Sequence, residues 1–391
     1  MDFKLNDEQI SWQMKARKFA EEEIKPISLE RDQILDPRET FDWEIVKKGS
    51  ALGFRTAVVA KEWGGHGIDF VTQVLVMEEL ARGDSAISKT FSQCWKWSHL
   101  ISAICTEDQK ERFLKPFIAD DTYLLGKGGT EPAAGSDNRL QPDDPSTGWM
   151  LKAERDGDDW ILNGTKRYIA NGSVAKLFFI DARTDPSVKI ADGSTLFLVP
   201  TDTPGFRVGK VYDKTGWRFY QNAELIFENA RVPHANMVGG VNEGIKVRKG
   251  DTSEFNDLEL AANATGVCQA ACDMAMNHAR TRWQGGKYII EHQAIQLKLA
   301  EMHMLTEALR SYVMRTACDS EEGTKRDPRH GILCMNFSSD VIQRVTCLNV
   351  DIHGGAGVMK DVGAEKLQRD GAVWTHLAGD AVQRMKVVKH L

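Results

Sequence analysis

The 391-residue sequence predicts an α+β chain in three parts: a helical domain, an antiparallel β domain and a second helical bundle. Three observations carry that expectation. Apolar residues recur at helical spacing through the first third and again through the last. The middle holds short runs of β-formers divided by Asn-Gly, Asp-Gly and Pro-Gly pairs. A glycine-rich break, Gly354-Gly355-Ala356-Gly357, interrupts the final helices.

In the first part, residues 3–30 carry Ile10, Met14, Phe19 and Ile24 among acids and bases, and Pro26 and Pro37 are expected to close this helix. A second helix precedes Gly53, and Gly64-Gly65-His66-Gly67 reads as a turn. Residues 70–82 form a helix with a wide apolar face, and 95–104 and 107–117 are two more. In the middle, Trp160-Ile161-Leu162, Leu177 to Ile180, Thr195 to Val199 and Leu225-Ile226-Phe227 are strands of a barrel or sandwich. Long helices follow over 258–282, 290–318, 332–350 and 373–391, joined by short links as in a bundle. The expected boundaries are 1–122, 123–236 and 237–391.

Composition narrows the function classes. A hydrophobic share of 42% with 27% charged residues is that of a globular chain with real cores. The formal charge of −6 lacks the basic excess of a nucleic-acid surface. No apolar run reaches the roughly 18–20 residues of a membrane span. Met1-Asp2-Phe3-Lys4 opens no signal-peptide apolar region, so the expected location is cytoplasmic. Seven scattered cysteines form no CxxC pair; Cys268 and Cys272, one turn apart, are expected to pack inside a helix interface rather than bind metal. A strand followed by GxGxxG is absent, which disfavours nicotinamide binding.

Five segments together resemble the acyl-CoA dehydrogenase family. They are the opening helix with Glu8-Gln9, Ala16-Arg17 and Phe19-Ala20; Thr130 to Asp137, similar to TEPxAGSD; Asn163 to Gly172, similar to NGxKxWITNG; Arg282, Gly286 and Gln293, similar to RxxxGxxxxxxQ; and Gly354-Gly355-Ala356-Gly357 with Arg369-Asp370, similar to GGxG…RD. They run in order from residue 1 to the end. The resemblance implies an N-terminal helical domain, a middle antiparallel β-barrel and a C-terminal four-helix bundle that bind FAD and an acyl-CoA thioester. It places Thr130 at the polar edge of the flavin, Ser136 beside the thioester and Tyr168, where the family has Trp, over the ring. Ala170 stands where a Thr hydroxyl would bond the ring. Arg282 would reach the pyrophosphate of a neighbouring subunit's flavin, because a guanidinium grips phosphates as a fork. Gln293 would meet the flavin at the same interface. Asp351 takes the place of the Gln that contacts the adenine half, and Gly354-Gly355 permits close backbone approach. No metal site is implied; His292 and His353 lack partners for one.

The departure lies at the base. The family's reaction removes the α-proton with a carboxylate while the β-hydride passes to the flavin. Counting from Arg369-Asp370, Ala378 occupies the base position, and a methyl group accepts no proton; loss of a general base costs roughly 10²–10⁴ in rate. The alternative base position, on the first long helix of the C-terminal bundle, falls on Asn256. Glu254, Asp257 and Glu259 beside it read as a charged first turn that suits the helix dipole. Asp380 and Glu254 are the candidate relocated carboxylates, although Asp380 reads more readily as a helix N-cap before Ala381-Val382. The loop from Pro142 to Gly148 and its flanks are about eight residues longer than the family's, as a gate or a plain surface insertion. Three functions follow: dehydrogenation of an acyl-CoA with a relocated base and an electron-transfer flavoprotein as acceptor; a same-fold flavoenzyme acting as oxidase, reductase or desulfinase; or a base-less subunit of a hetero-oligomer that lends Arg282 to its partner. A homotetramer or homodimer is the expected assembly of the first.

Overall fold

The computed structural model describes residues 4–140, 143–249, 253–321, 329–377 and 381–388. The N-terminal part contains α1 (Asp7–Phe19), α2 (Lys25–Gln33), α3 (Trp43–Ala51), α4 (Phe70–Gly83), α5 (Ser85–Ile104), α6 (Glu107–Gln109) and α7 (Lys115–Ala119). Asn6 caps α1 in a capping box with Gln9, and Asp69 and Asp84 cap α4 and α5, each accepting a backbone N–H of the first turn. Pro26 does not end the first helix as expected. A π-helical turn at Ala20–Ile24 precedes α2 and places Pro26 in its first turn, where the missing N–H costs little, so the chain stays helical to Gln33. The same device brings Pro116 into α7.

Helix α4 is buried almost all round, as its wide apolar face demands. It packs against α1 and against two helices of the C-terminal part. Its buried acids are met from both sides: Arg17 of α1 forks onto Glu79 at 2.5 and 3.0 Å, and Arg310 lies 2.9 Å from Glu78.

The middle part is one eight-stranded sheet: β1 (Leu124–Gly128), β2 (Lys152–Asp156), β3 (Asp159–Ala170), β4 (Ala175–Arg183), β5 (Ser194–Pro200), β6 (Phe206–Val211), β7 (Asn222–Pro233) and β8 (Met237–Val238), with the short helix α8 (Asp137–Leu140) between β1 and β2. The order is β6-β7-β3-β2-β4-β5-β8, and β1 pairs with β4. Pairing is antiparallel except for β1–β4 and the single β2–β4 link, which are parallel. The β3–β7 register shifts between Lys166 and Ile169, and inside that bulge Tyr168 takes φ 59. Residues 143–148 are tied down: Arg183 donates to the carbonyls of Pro145 and Val188, and Lys189 pairs with Asp143 at 2.5 Å. Trp149 follows in a small core of its own with Ile190 and Ile245. The expected long loop is thus folded onto the β4–β5 connection; Pro142 lies outside the described residues.

The last part holds α9 (Gly244–Lys249), α10 (Ser253–Thr281), α11 (Gln293–Glu321), α12 (Arg329–His353), α13 (Ala364–Leu377) and α14 (Ala381–Val388). Helices α10, α11 and α12 pack on one another, and α12 carries α13 and α14. One hydrophobic cluster runs through all three parts. Cys268 and Cys272 are buried and unbridged, as expected of helix packing. Among the described residues no helix is long and apolar enough to cross a membrane.

Candidate active site

The Thr130–Asp137 segment is a braced turn. Glu131, buried, accepts Lys166 Nζ at 2.7 Å and the backbone N–H groups of Met150 and Leu151 at 2.6 and 3.0 Å. Lys166 is fully buried, so this pair anchors the loop to β3. Asp137 accepts the N–H of Gly135 and of Gly148, both at 2.7 Å. The carbonyl of Thr130 accepts Arg167 N at 2.8 Å, which sets Thr130 beside Tyr168. Ser136 is exposed at the tip, and a Cβ on neighbouring Gly135 would meet nothing within 4 Å.

Tyr168 and Ala170, at the end of β3, form one wall of a cavity of about 680 Å³. The other walls come from α5 (Lys89, Gln93, Trp97), the segment between β6 and β7 (Tyr212 to Tyr220), Leu260 of α10, and Ala372, Val373 and His376 of α13. Tyr168 is 54% exposed and its ring leans on Tyr212, centroids 4.6 Å apart. The Tyr212 hydroxyl is fixed by Arg167 and Glu224, both at 2.8 Å, and Asn222 donates to the Tyr168 carbonyl at 2.9 Å.

Two features suit this cavity to a flat polar aromatic ligand. The indole N–H groups of Trp97 and Trp217 are buried and have no acceptor among the described residues. Buried donors are rarely left so unless a ligand or water completes them. Lys214, which donates to Asn222 Oδ1 at 2.6 Å and to the Tyr220 carbonyl, has its pKa pushed down to about 7 by burial, with Asp370 opposing. Its ammonium is therefore readily discharged near neutral pH.

Arg369-Asp370 holds the cavity together. Asp370 accepts Trp217 N at 2.7 Å, and Lys366 bridges Asp370 and Asp84 at 2.9 and 2.6 Å. Arg369 donates to Asp32 and to the Thr215 carbonyl. The signature thus joins α13 to the helical N-terminal part and to the wall that carries Trp217. Gly216 permits this approach: a Cβ there would lie 2.5 Å from the Arg369 carbonyl.

The remaining sequence candidates lie elsewhere. Arg282, Gln293, Asp351, Gly354 and Gly355 are exposed, and none lines the cavity. Their neighbourhoods meet at the bundle surface, where His278 stacks on His353 at 4.2 Å and Lys298 pairs with Asp351 at 3.2 Å. His292 contacts the Gln284 carbonyl at 2.9 Å, and among the described residues no cluster suits a metal. Ala378 and Asp380 lie outside the described residues, as does the side chain of Glu254.

Glu259 departs from its expected place in a solvated first turn. It is 3% exposed, with Oε1 accepting Lys89 Nζ at 2.9 Å and Oε2 without a hydrogen-bond donor among the described residues. Burial raises its pKa, and Lys89 opposes the rise. Lys89, Trp97 and Trp217 went unread in the sequence. The available signal was a lone lysine among Ala86, Ile87, Phe91 and Cys94, which belongs to a buried helix face rather than to solvent.

Comparisons with known proteins agree over the whole length. Family models described as acyl-CoA dehydrogenase N-terminal, middle and C-terminal domains match residues 6–121, 126–230 and 242–391. The short-chain-specific acyl-CoA dehydrogenase of Megasphaera elsdenii is 34% identical over 380 residues, covering 95% of this chain and 94% of the relative. The solved butyryl-CoA dehydrogenase of the same organism superposes with a TM-score of 0.91 at 33% identity, covering 100% of this chain and 99% of the other. A structure described as the electron transferring flavoprotein of Acidaminococcus fermentans aligns with the same score, identity and coverage.

Proposed function

Since the chain belongs to the acyl-CoA dehydrogenase family, we propose that it is an FAD-dependent oxidoreductase acting on the Cα–Cβ bond of an acyl-CoA thioester, with its proton-accepting carboxylate moved from the position held by Ala378. The observation that carries this reading is the cavity between β3, α5, α10 and α13. It joins residues that resemblance assigns to the flavin, Tyr168 and Ala170, to a wall of two helices suited to an acyl chain. FAD, when bound, supplies the acceptor for the hydride leaving Cβ. Tyr168 and Tyr212 offer it an aromatic surface, and the N–H groups of Trp97 and Trp217, without an acceptor among the described residues, offer donors for ring or thioester acceptors. Ala170 brings no hydroxyl to the ring. Thr130, held by Arg167, stands next to Tyr168 to serve the polar edge, with Ser136 on the same braced turn.

Asp380 and Glu254 are the carboxylates proposed to take the α-proton, one just beyond α13 and one in the first turn of α10. The exposed group of Arg282, Gln293, Asp351, Gly354 and Gly355 supports an assembly in which one copy completes the flavin site of another, a homodimer or homotetramer. That same exposure supports the second reading, a base-less subunit lending Arg282 to a partner. An electron-transfer flavoprotein is the proposed acceptor.

The test pairs Asp380→Asn and Glu254→Gln with anaerobic flavin reduction by acyl-CoA. The true base keeps FAD but loses about 10²–10⁴ in reduction rate on substitution. Unchanged rates in both variants sink the assignment. Flavin retained only on mixing with a second gene product transfers support to the hetero-oligomer.

A further inference from the structure

Lys214 stands on the segment between β6 and β7, and its Nζ donates to Asn222 Oδ1 at 2.6 Å and to the Tyr220 carbonyl. Asn222 opens β7 as the register partner of Ala170, the last residue of β3. Its Nδ2 donates to the Tyr168 carbonyl at 2.9 Å. One side-chain amide therefore ties the lysine to Tyr168, which takes φ 59 inside the β3–β7 bulge. Lys214, Asn222, Tyr168 and Ala170 all line the same cavity.

A lysine is a costly choice at this point. The two oxygens it holds belong to an amide and a carbonyl, both neutral, and an uncharged donor would hold them as well. An ammonium here gives up hydration for them. Burial lowers its pKa to about 7, Arg218 adding to the fall and Asp370 of α13 opposing it. Arg218 is itself paired with Asp213, and Asp370 with Lys366. The other ionisable side chains on the cavity are Lys89 of α5, held by Glu259 of α10, with Tyr168, Tyr212 and Tyr220, and His376 of α13. A charge kept at such a cost acts on what fills the cavity, and a nearby charge is one of the means by which a protein tunes a redox cofactor.

We propose that Lys214 is an electrostatic and positioning residue for the flavin: its amine shares the flavin's cavity and favours the ring that has gained negative charge, while its hold on Asn222 fixes Tyr168. The inference rests on the FAD-dependent reading above and adds to it a residue that sets how readily the ring accepts electrons. An ammonium stabilises a negatively charged ring more than a neutral one. The sign follows. Below about pH 7 the ammonium raises the midpoint potential; once discharged, the amine does so no longer. Reduction in turn makes Lys214 hold its proton more tightly, so the bend in potential against pH lies at or above that value.

The experiment measures the flavin midpoint potential of the FAD-loaded protein between about pH 6 and pH 9, by dye-coupled anaerobic reduction, for the native chain, Lys214→Arg and Lys214→Met. At pH 6 the native chain and Lys214→Arg are expected to favour reduced over oxidised flavin about tenfold more than Lys214→Met does. At pH 9 the native chain approaches Lys214→Met, whereas Lys214→Arg keeps its advantage, because a guanidinium does not discharge. The visible circular dichroism of the bound flavin is expected to change in Lys214→Met, where Asn222 and Tyr168 lose their tether. The same pH course in all three proteins, or a bend that persists in Lys214→Met as one from His376 would, overturns the inference and leaves the flavin reading intact. Unchanged circular dichroism in Lys214→Met overturns the positioning role. A native protein that takes up no FAD overturns both readings. If Lys214→Met does not fold, the native bend and its absence in Lys214→Arg decide.

Discussion

Glu78 and Glu79 are adjacent acids in a helix with almost no solvent face, and only Glu79 has a well-aligned partner in the Arg17 fork. Arg310 is close to Glu78 but does not align with its carboxylate as a hydrogen-bond donor. Burial therefore dominates and lifts Glu78 from its ordinary 4.5 to about 7, Arg310 opposing and Glu79 adding to the rise. The sign follows from linkage: between 4.5 and 7 the folded state keeps a proton that the unfolded chain has released, so this group's contribution to stability falls as pH rises through that window. Glu78→Gln is expected to flatten the slope, losing little at pH 5 and gaining on the order of 1–3 kcal/mol relative to the native chain at pH 8. Urea midpoints at the two pH values check it, and parallel slopes for both proteins contradict it. Residues of this kind resist reading from sequence. Glu78 and Arg310, like Lys89 and Glu259, are far apart in the chain, and their burial is decided by the helices that meet, not by their neighbours in sequence. Glu131, by contrast, was legible as part of a motif, though the motif did not show that its carboxylate is the brace of the loop.

At the scale of elements, most of the helices and strands were legible because their apolar period is clean. The exceptions have local causes. Pro26 looked like a stop signal because sequence patterns assume an α-turn, whereas the π-turn before it shifts the proline into a tolerated position. Arg369-Asp370 was recognised as a signature without its job, because both partners, Asp32 and Trp217, come from other parts of the chain. The contact between α13 and the segment carrying Trp217 depends on Gly216. Gly216→Ala puts a Cβ within 2.5–2.7 Å of backbone atoms of Arg369 and Asp370. Backbone gives way poorly, so the variant is expected to lose about 1–3 kcal/mol of stability and, with Trp217 displaced, to bind flavin or thioester more weakly. Denaturant midpoints with calorimetric binding measure both; native values in each contradict the account of this wall.

For the whole molecule, three parts share one hydrophobic cluster and meet in the Asp84–Lys366–Asp370 and Asp32–Arg369–Thr215 contacts, so the cavity exists only when all three are docked. The order of the parts was visible in the sequence, and the residues that the resemblance singled out at the end of β3, Tyr168 and Ala170, do line the cavity. The helix wall opposite them was not, since α5 and α10 reach it from positions 170 residues apart. The central claim, that this cavity performs flavin-linked oxidation of an acyl thioester despite Ala378, is tested most directly by anaerobic titration of the FAD-loaded protein with an acyl-CoA series. Stoichiometric loss of the oxidised flavin's visible absorbance, with the matching enoyl-CoA as product, is the expected result. A flavin that stays oxidised with every thioester, or a protein that takes up no FAD at all, contradicts it.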